Sequence, residues 1–297
     1  MIEAGAEEDY AALLDAVRAI RWPARAVVRG GIPGAHTSRL RGISAEFTEY
    51  RPYRQGDETR RVDWKLFARS DRAYIRLSND RAILPTMIVL DASASMAFPA
   101  ASLGKWKLAA QIGVALGAVA RNSGDPVGLV VARGDDSVML PPRMRRSVTQ
   151  EIVRAVSAAQ PGGNDPVAPS VTIASRAGGR VVVVSDLLGD TEEIVVVTGR
   201  LVASGREVHV VHVVAGEEID PPREAMTVFD PEARSVRRAL TGETRAAYIA
   251  AFADWRDRIA RELTDAGVSY VLAIVGEETP DHLVRRIAAP RGMAVTA

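Results

Sequence analysis

Cysteine occurs nowhere in the 297 residues, so no disulfide, thiolate-held metal or cysteine nucleophile is open to this chain. Net charge is almost absent too: 38 Lys and Arg balance 37 Asp and Glu, leaving +1 and no global pull towards nucleic acid or membrane. Long apolar runs are missing. The most lipid-like stretch, Leu108 to Ala120, falls well short of the roughly 20 apolar residues that cross a bilayer. The first residues, Met1-Ile2-Glu3-Ala4-Gly5-Ala6-Glu7-Glu8-Asp9, are acidic where a signal peptide would be basic and then apolar, so a cytoplasmic location is expected.

Several catalytic signatures are also lacking. Neither Gly-x-Ser-x-Gly nor His-Glu-x-x-His occurs. Leu103-Gly104-Lys105-Trp106 has the Gly-Lys pair of a phosphate loop, but tryptophan stands where Ser or Thr is required and the upstream glycine is missing. Gly30-Gly31-Ile32-Pro33-Gly34 follows no strand and is no dinucleotide fingerprint. His209 and His212, three apart in a strand, face opposite sides and cannot act as a ligand pair.

What is present is an alternation of strands and helices. A first amphipathic helix is predicted over 6–20. Then follow a glycine- and proline-broken stretch over 21–72, a strand over 74–77 and the central strand over 83–90, which Pro85 admits to the sheet. Beyond it come a helix over 104–121 whose Gly113 and Gly117 allow close packing, strands over 127–132 and 137–140 joined by a turn, and a helix over 147–159. The apolar strand Val181–Val184 is followed by a helix over 191–204, a strand over 207–214, a helix over 242–266, a strand over 268–275 and a helix over 280–289. An insertion over 217–241 carries a hairpin between Met226 and Leu240. The fold class is α/β: a doubly wound, mostly parallel sheet covered on both faces. Two domains are expected, 1–82 with the first helix and the arginine-rich segment, and 83–297 with the sheet.

Chemistry concentrates where the central strand ends. Met87 to Leu90 is apolar as a buried parallel strand should be, and Asp91, Ser93 and Ser95 follow it. In such sheets ligands bind beyond the carboxyl ends of the strands, so a carboxylate and two hydroxyls reach the functional rim together. Asp186 ends the valine strand in the same way, and the two strands are expected to be neighbours. All-oxygen donor sets of this kind suit a hard cation such as magnesium. The alternative is that these residues merely cap the loops they start.

The stretch from Arg18 to Arg81 carries 15 Lys or Arg against 7 Asp or Glu, a local excess of eight. Within it, Tyr50 to Arg69 mixes cations with aromatics as a nucleic-acid surface can. The interleaved Asp57, Glu58 and Asp63 fit internal ion pairs and capping better, which favours a structural clasp or a docking surface for an acidic protein.

These residues also carry a resemblance. The ordered run Ala45-Glu46-Phe47, Arg51-Pro52-Tyr53, Gly56-Asp57-Glu58, Arg60, Asp63-Trp64, Ala68-Arg69, then Asp91-Ala92-Ser93-Ala94-Ser95-Met96, resembles the signature of domain-of-unknown-function family 58. Asp230-Pro231-Glu232 and Arg245-Ala246-Ala247-Tyr248 extend it, and Glu58 stands where the family usually has Asp. The resemblance implies a von Willebrand factor A-like, Rossmann-like domain with a metal-ion-dependent adhesion site. In that site Asp91, Ser93 and Ser95 form the first ligand loop and Asp186 is the acid of the neighbouring strand. The loop threonine it implies is replaced here by Asn164 after Gly163, which offers a carbonyl oxygen in place of a hydroxyl, with Asp165 beside it. The cation implied is Mg, or Mn or Ca. The implied role is a non-enzymatic interaction module that holds a partner's carboxylate through the metal and works beside a MoxR-type AAA+ ATPase. A metal-assisted hydrolase or phosphotransferase on the same carboxylates, or a metal-free scaffold, are the alternatives.

Overall fold

The computed structural model describes residues 3–24, 33–37, 47–54, 57, 59, 62–78, 81–223, 227–229, 237–239 and 241–289. The chain divides into two compact units, one of Met1–Trp22 with Pro85–Ala297 and one of Pro23–Leu84. Helix α1 (Glu3–Ala16) therefore belongs with the sheet and not with the arginine-rich segment that follows it, which corrects the grouping of 1–82. Burial is the reason. Leu13 and Leu14 pack on the core, and Val17, Ile20 and Trp22 just beyond the helix are buried in it.

The smaller unit holds β1 (Pro33–Thr37), β2 (Phe47–Pro52), α2 (Trp64–Ser70), β3 (Tyr74–Ser78) and β4 (Arg81–Ala82), with β1 paired to β4 and β2 to β3, both antiparallel. The short helix α2 lies where the sequence reading expected only loop. Asp63 starts it by accepting the N–H groups of Lys65 and Leu66, both at 3.0 Å. The Tyr50 hydroxyl donates to the other Asp63 oxygen at 2.8 Å. Arg51 pairs with Asp57 at 2.8 Å, and that hydrogen bond holds the Asp57 carboxyl below its usual range. These acids thus serve a cap and an ion pair. Gly30, Gly31, Gly42, Ala45, Glu46, Gly56, Glu58, Arg60 and the run Asp230-Pro231-Glu232 lie outside the described residues.

The larger unit continues with β5 (Thr86–Asp91), α3 (Gly104–Asn122), β6 (Val127–Ala132), β7 (Val138–Arg143), α4 (Val148–Ala158), α5 (Ala168–Ser175) and β8 (Arg180–Ser185). After these come α6 (Thr191–Ala203), β9 (Glu207–Val214), the one-turn α7 (Gly216–Ile219), the hairpin strands β10 (Thr227–Phe229) and β11 (Arg237–Ala239), α8 (Gly242–Asp265), β12 (Ser269–Ile274) and α9 (Pro280–Ala288). Six strands form one sheet in the order β12-β9-β8-β5-β6-β7, parallel except for the edge strand β7.

Both faces of the central strands are dry, which is why they read as continuous apolar runs. Ile88, Leu90, Val182, Val184, Val211 and Val213 enter the core under α1, α3, α4 and α9. Met87, Val89, Val181, Val183, Val208 and Val210 enter the core under α5, α6 and α8. At Gly113 a Cβ would lie 2.9 Å from the Leu90 side chain, so only glycine lets α3 approach β5 this closely. From β5 the chain moves through α3 to β6, and from β8 through α6 to β9, in opposite directions along the sheet. The carboxyl ends of β5 and β8 therefore flank the topological switch point, where open sheets of this kind place ligands.

The opposite, amino end of the sheet is closed by a buried cation. Arg180 is fully buried, its Nε 3.0 Å from Glu207 and its Nη1 3.5 Å from Asp125. Its guanidinium lies 4.2 Å from the Trp22 ring centroid, and the Trp22 backbone N–H donates to Ser123 Oγ at 2.8 Å. This clasp ties the segment after α1 to the start of β8. Removing one member of a buried charge group costs more than the group contributes net, because the remaining charges lose their compensation. Arg180→Ala is expected to lower the unfolding free energy by about 3–5 kcal/mol, measured by urea denaturation. A loss below about 1 kcal/mol would mean that Asp125 and Glu207 do not depend on the guanidinium.

Candidate functional site at the carboxyl edge of the sheet

Asp91 closes β5 with 2% of its surface exposed. One oxygen, Oδ1, accepts the Ser93 N–H at 2.8 Å, a local turn of the kind Asp favours after a strand. The other, Oδ2, accepts the Ser185 hydroxyl at 2.6 Å from the adjacent strand. Ser185 is positioned in turn by the Leu187 N–H, which donates to its Oγ at 2.9 Å. The Ser93 and Ser95 hydroxyls are 3.0 Å apart and bond to one another. The loop carrying Asn164 is fixed to this turn by two backbone bonds, Ala94 N–H to Gly163 O at 2.9 Å and Gly162 N–H to Ala92 O at 2.8 Å.

A cleft of about 120 Å³ opens here, with Asp91, Ser93, Asn164, Asp165, Leu188 and Asp190 in its wall. Of the five residues proposed from sequence, Asp91, Ser93 and Asn164 thus share one cavity. Ser95 stands behind Ser93, and Asp186 lies on the neighbouring strand end, outside the cleft wall. β5 and β8 are hydrogen-bonded neighbours with Leu90 opposite Val184, so the two acids do end adjacent strands.

Asp186 is already served by another partner. Its Oδ1 accepts the Leu188 N–H at 3.1 Å, and its Oδ2 accepts Lys105 Nζ at 2.7 Å. Lys105 projects from the first turn of α3, is fully buried, and also donates to Glu218 Oε1 of α7 at 2.6 Å. The other Glu218 oxygen caps α7 by accepting the Ala215 N–H at 2.8 Å. Burial alone would push the Lys105 ammonium towards neutrality, but the two facing carboxylates outweigh it and hold its pKa up. Burial raises Glu218, with Lys105 opposing.

Sequence reasoning considered Lys105 only as half of a failed phosphate loop. A usable signal existed: Lys105, Leu108, Ala109 and Ile112 fall on one helical face, and a charge on a buried stripe demands a buried partner. Ser185 was also missed, a hydroxyl ending an otherwise valine-only run.

Asp91 differs from Asp186 in lacking a cation: among the described residues no Lys or Arg forms an ion pair with it. Burial, reinforced by the charge of Asp186 and opposed by the Ser185 and Ser93 bonds, pushes its carboxyl up to about 7. Burial pushes His212, bonded to the Tyr270 hydroxyl at 2.8 Å, down to about 4, so it is a neutral neighbour at pH 7. Among the described residues no three His, Cys, Asp or Glu side chains gather as a metal-binding group. The donors in the cleft wall are instead the carboxylates of Asp91, Asp165 and Asp190, the Ser93 hydroxyl and the Asn164 amide oxygen. That set is hard and oxygen-only, it surrounds a desolvated carboxylate without a cation, and it fits a magnesium-like ion.

The fold and cleft define a class, a doubly wound α/β domain with an oxygen-lined pocket at its switch point. The chain belongs to the family described as Protein of unknown function DUF58, whose model matches residues 49–258. Curated relatives include uncharacterized proteins of Mycobacterium tuberculosis and Mycobacterium bovis, each 26% identical over 288 residues, spanning 94% of this chain and 90% of theirs. Similar solved structures include an aerotolerance-related membrane protein from Bacteroides fragilis, with TM-score 0.45, 19% identity and coverage of 68% of this chain and 95% of that one. The conserved hypothetical protein BatB from Bacteroides thetaiotaomicron gives TM-score 0.43, 19% identity and coverage of 68% and 98%. The SpRpn10 VWA domain gives TM-score 0.41, 14% identity and coverage of 72% and 100%. Among the described residues no helix is long and apolar enough to cross a membrane.

The raised Asp91 pKa fixes a sign. Ionised Asp91 is less favourable folded than unfolded, so its contribution is best below the unfolded value of 3.8 and is lost as pH rises through about 7. With chelator present, Asp91→Asn is expected to match wild type near pH 4 and to exceed it by pH 8. The gap should reach at most about 4 kcal/mol, accumulating about 1.4 kcal/mol per pH unit, read from urea unfolding at each pH. A variant less stable than wild type at pH 8 would show that the ionised carboxylate is satisfied without a cation.

Proposed function

We propose that this protein is a non-catalytic interaction module that grips a carboxylate of a partner protein at a divalent-cation site. Asp91, Ser93, Ser95, Asn164 and Asp186 would hold the ion, magnesium or a similar cation such as manganese or calcium. The observation that carries the reading is Asp91: a buried carboxylate at the sheet's switch point, facing a cleft shared with Ser93 and Asn164, without a lysine or arginine among its described partners. A bound cation supplies positive charge and an open coordination position for a partner's Asp or Glu. Asp91 would contribute the main anionic ligand, the serines would fix its orientation, and the Gly162–Gly163 backbone bonds would keep Asn164 at the mouth.

A site of this kind on the switch-point rim presents its ligand outward, where a protein surface can reach it. The partner in this reading is a MoxR-type AAA+ ATPase, which the family resemblance brings with it. Among the described residues, Lys105 is bonded to two acids, and the His212 Nδ1 is engaged by the Tyr270 hydroxyl, which supports binding over turnover.

Magnesium is expected to raise the melting temperature of the wild-type protein by several degrees at saturating concentration, as any ligand selective for the folded state does. Asp91→Ala should abolish that increase. Retention of the ATPase on immobilised protein should require magnesium and disappear with chelator. Equal melting shifts in wild type and Asp91→Ala would sink the site.

A further inference from the structure

Lys105 is the one buried lysine among the described residues. Its ammonium does not face a single partner. It sits between Asp186 Oδ2 at 2.7 Å and Glu218 Oε1 at 2.6 Å, each within full hydrogen-bonding distance, so either acid can hold it if the other is withdrawn. Asp186 ends the strand next to Asp91 and Glu218 stands on α7; neither lines the cleft wall itself. The helix that carries Lys105 starts close to β12: a Cβ on Gly104 would lie 3.0 Å from Val275. That start lets the first turn of α3 reach across the rim to both acids. The side chain is compact, rotatable and four carbons long, and can shift between acceptors without moving the backbone.

We infer that Lys105 is a tethered cation that competes with the divalent ion for Asp186, and that Glu218 is the acceptor that takes the ammonium when the ion binds. The inference rests on the cation reading above and goes beyond it by assigning two residues, neither of them a ligand, to setting the site's affinity. With the ammonium on Asp186, the negative charge that this strand-end acid could offer an incoming ion is compensated. Like charges close together in a poorly solvated site repel strongly, so ammonium and divalent ion cannot both be held at full strength by Asp186. The shared arrangement lowers the cost of ion binding, because Lys105 keeps a carboxylate at its side throughout. Affinity is then weakened by Lys105 and partly restored by Glu218, two effects of opposite sign.

The test is isothermal titration of manganese into the full chain, as wild type and as the Lys105→Gln, Glu218→Gln and Asp91→Ala variants, with folding of each verified by circular dichroism. Lys105→Gln should tighten manganese about tenfold or more, because Asp186 is released to the ion. Glu218→Gln should weaken it about three- to tenfold, because the ammonium then has only Asp186. A purely structural role for Lys105 would make both variants weaker or leave both unchanged, and either result overturns the proposal. Manganese binding by Lys105→Gln alone, lost again when Asp91→Ala is added, also supports it. If Lys105→Gln does not fold, the double variant Lys105→Gln with Glu218→Gln, which removes the ammonium together with the acid that would be left unpaired, takes its place: tighter manganese binding than wild type supports the proposal, and weaker or unchanged binding overturns it. Loss of binding in Asp91→Ala with unchanged affinity in the other two removes the competition and leaves the cation site standing. No manganese binding by wild type or by Lys105→Gln removes both.

Discussion

Asp91 and Asp186 are each 2% exposed and end adjacent parallel strands, yet they are stabilised by different means. Asp186 has a lysine. Asp91 has a serine hydroxyl and a backbone N–H, which satisfy its oxygens as acceptors but do not neutralise its charge. The difference comes from the path of the chain. Helix α3 leaves the β5 end and begins its first turn towards β12, so its cation lands on the β8 side of the rim and passes Asp91 by. A desolvated carboxyl without a Lys or Arg partner among the described residues is left at the cleft, beside Asp165 and Asp190, and the chemistry of the site follows from it.

The surrounding architecture holds that carboxyl in place. β5 and β8 are buried on both faces, which makes their register rigid and keeps their ends level. Ser185 bridges the two strand ends, accepting from Leu187 and donating to Asp91, so the turns after both strands are linked through one hydroxyl. The Gly162–Gly163 backbone bonds bring in the third segment. Three stretches converge on a cavity about the size of a few water molecules, the one with Asn164 held by its main chain.

The sheet was readable from the residues because strands buried on both sides must be continuously apolar, as Val181–Val184 is, and because parallel strands require helices between them. The adjacency of the Asp91 and Asp186 strands followed from that same pattern. Helix α2 escaped notice because seven residues in a glycine- and proline-rich stretch give no periodicity, although Asp63 before Trp64 was a cap signal. The grouping of α1 with the arginine-rich segment took closeness along the chain for closeness in space, and the burial of Val17 and Trp22 in the large core overrules it. The pairing of Lys105 was invisible because its partners, Asp186 and Glu218, stand 81 and 113 residues away, and no local pattern encodes such a meeting.

Each end of the sheet holds one buried cation between two acids, Arg180 with Asp125 and Glu207 at the amino end, Lys105 with Asp186 and Glu218 at the carboxyl end. The choice of residue separates their roles. The guanidinium of Arg180 is a planar fork stacked on Trp22 and bonded in several directions at once, so any movement breaks several contacts together. The ammonium of Lys105 is a point charge on a rotatable stem, bonded to both acids, with the Phe98 ring 5.7 Å away. A fixed cation suits the end that only has to stay closed. In the proposed cation site a rotatable cation would suit the end where a carboxylate is covered or released, and Asn164, with no hydroxyl to offer, would make the release of Asp186 count for more.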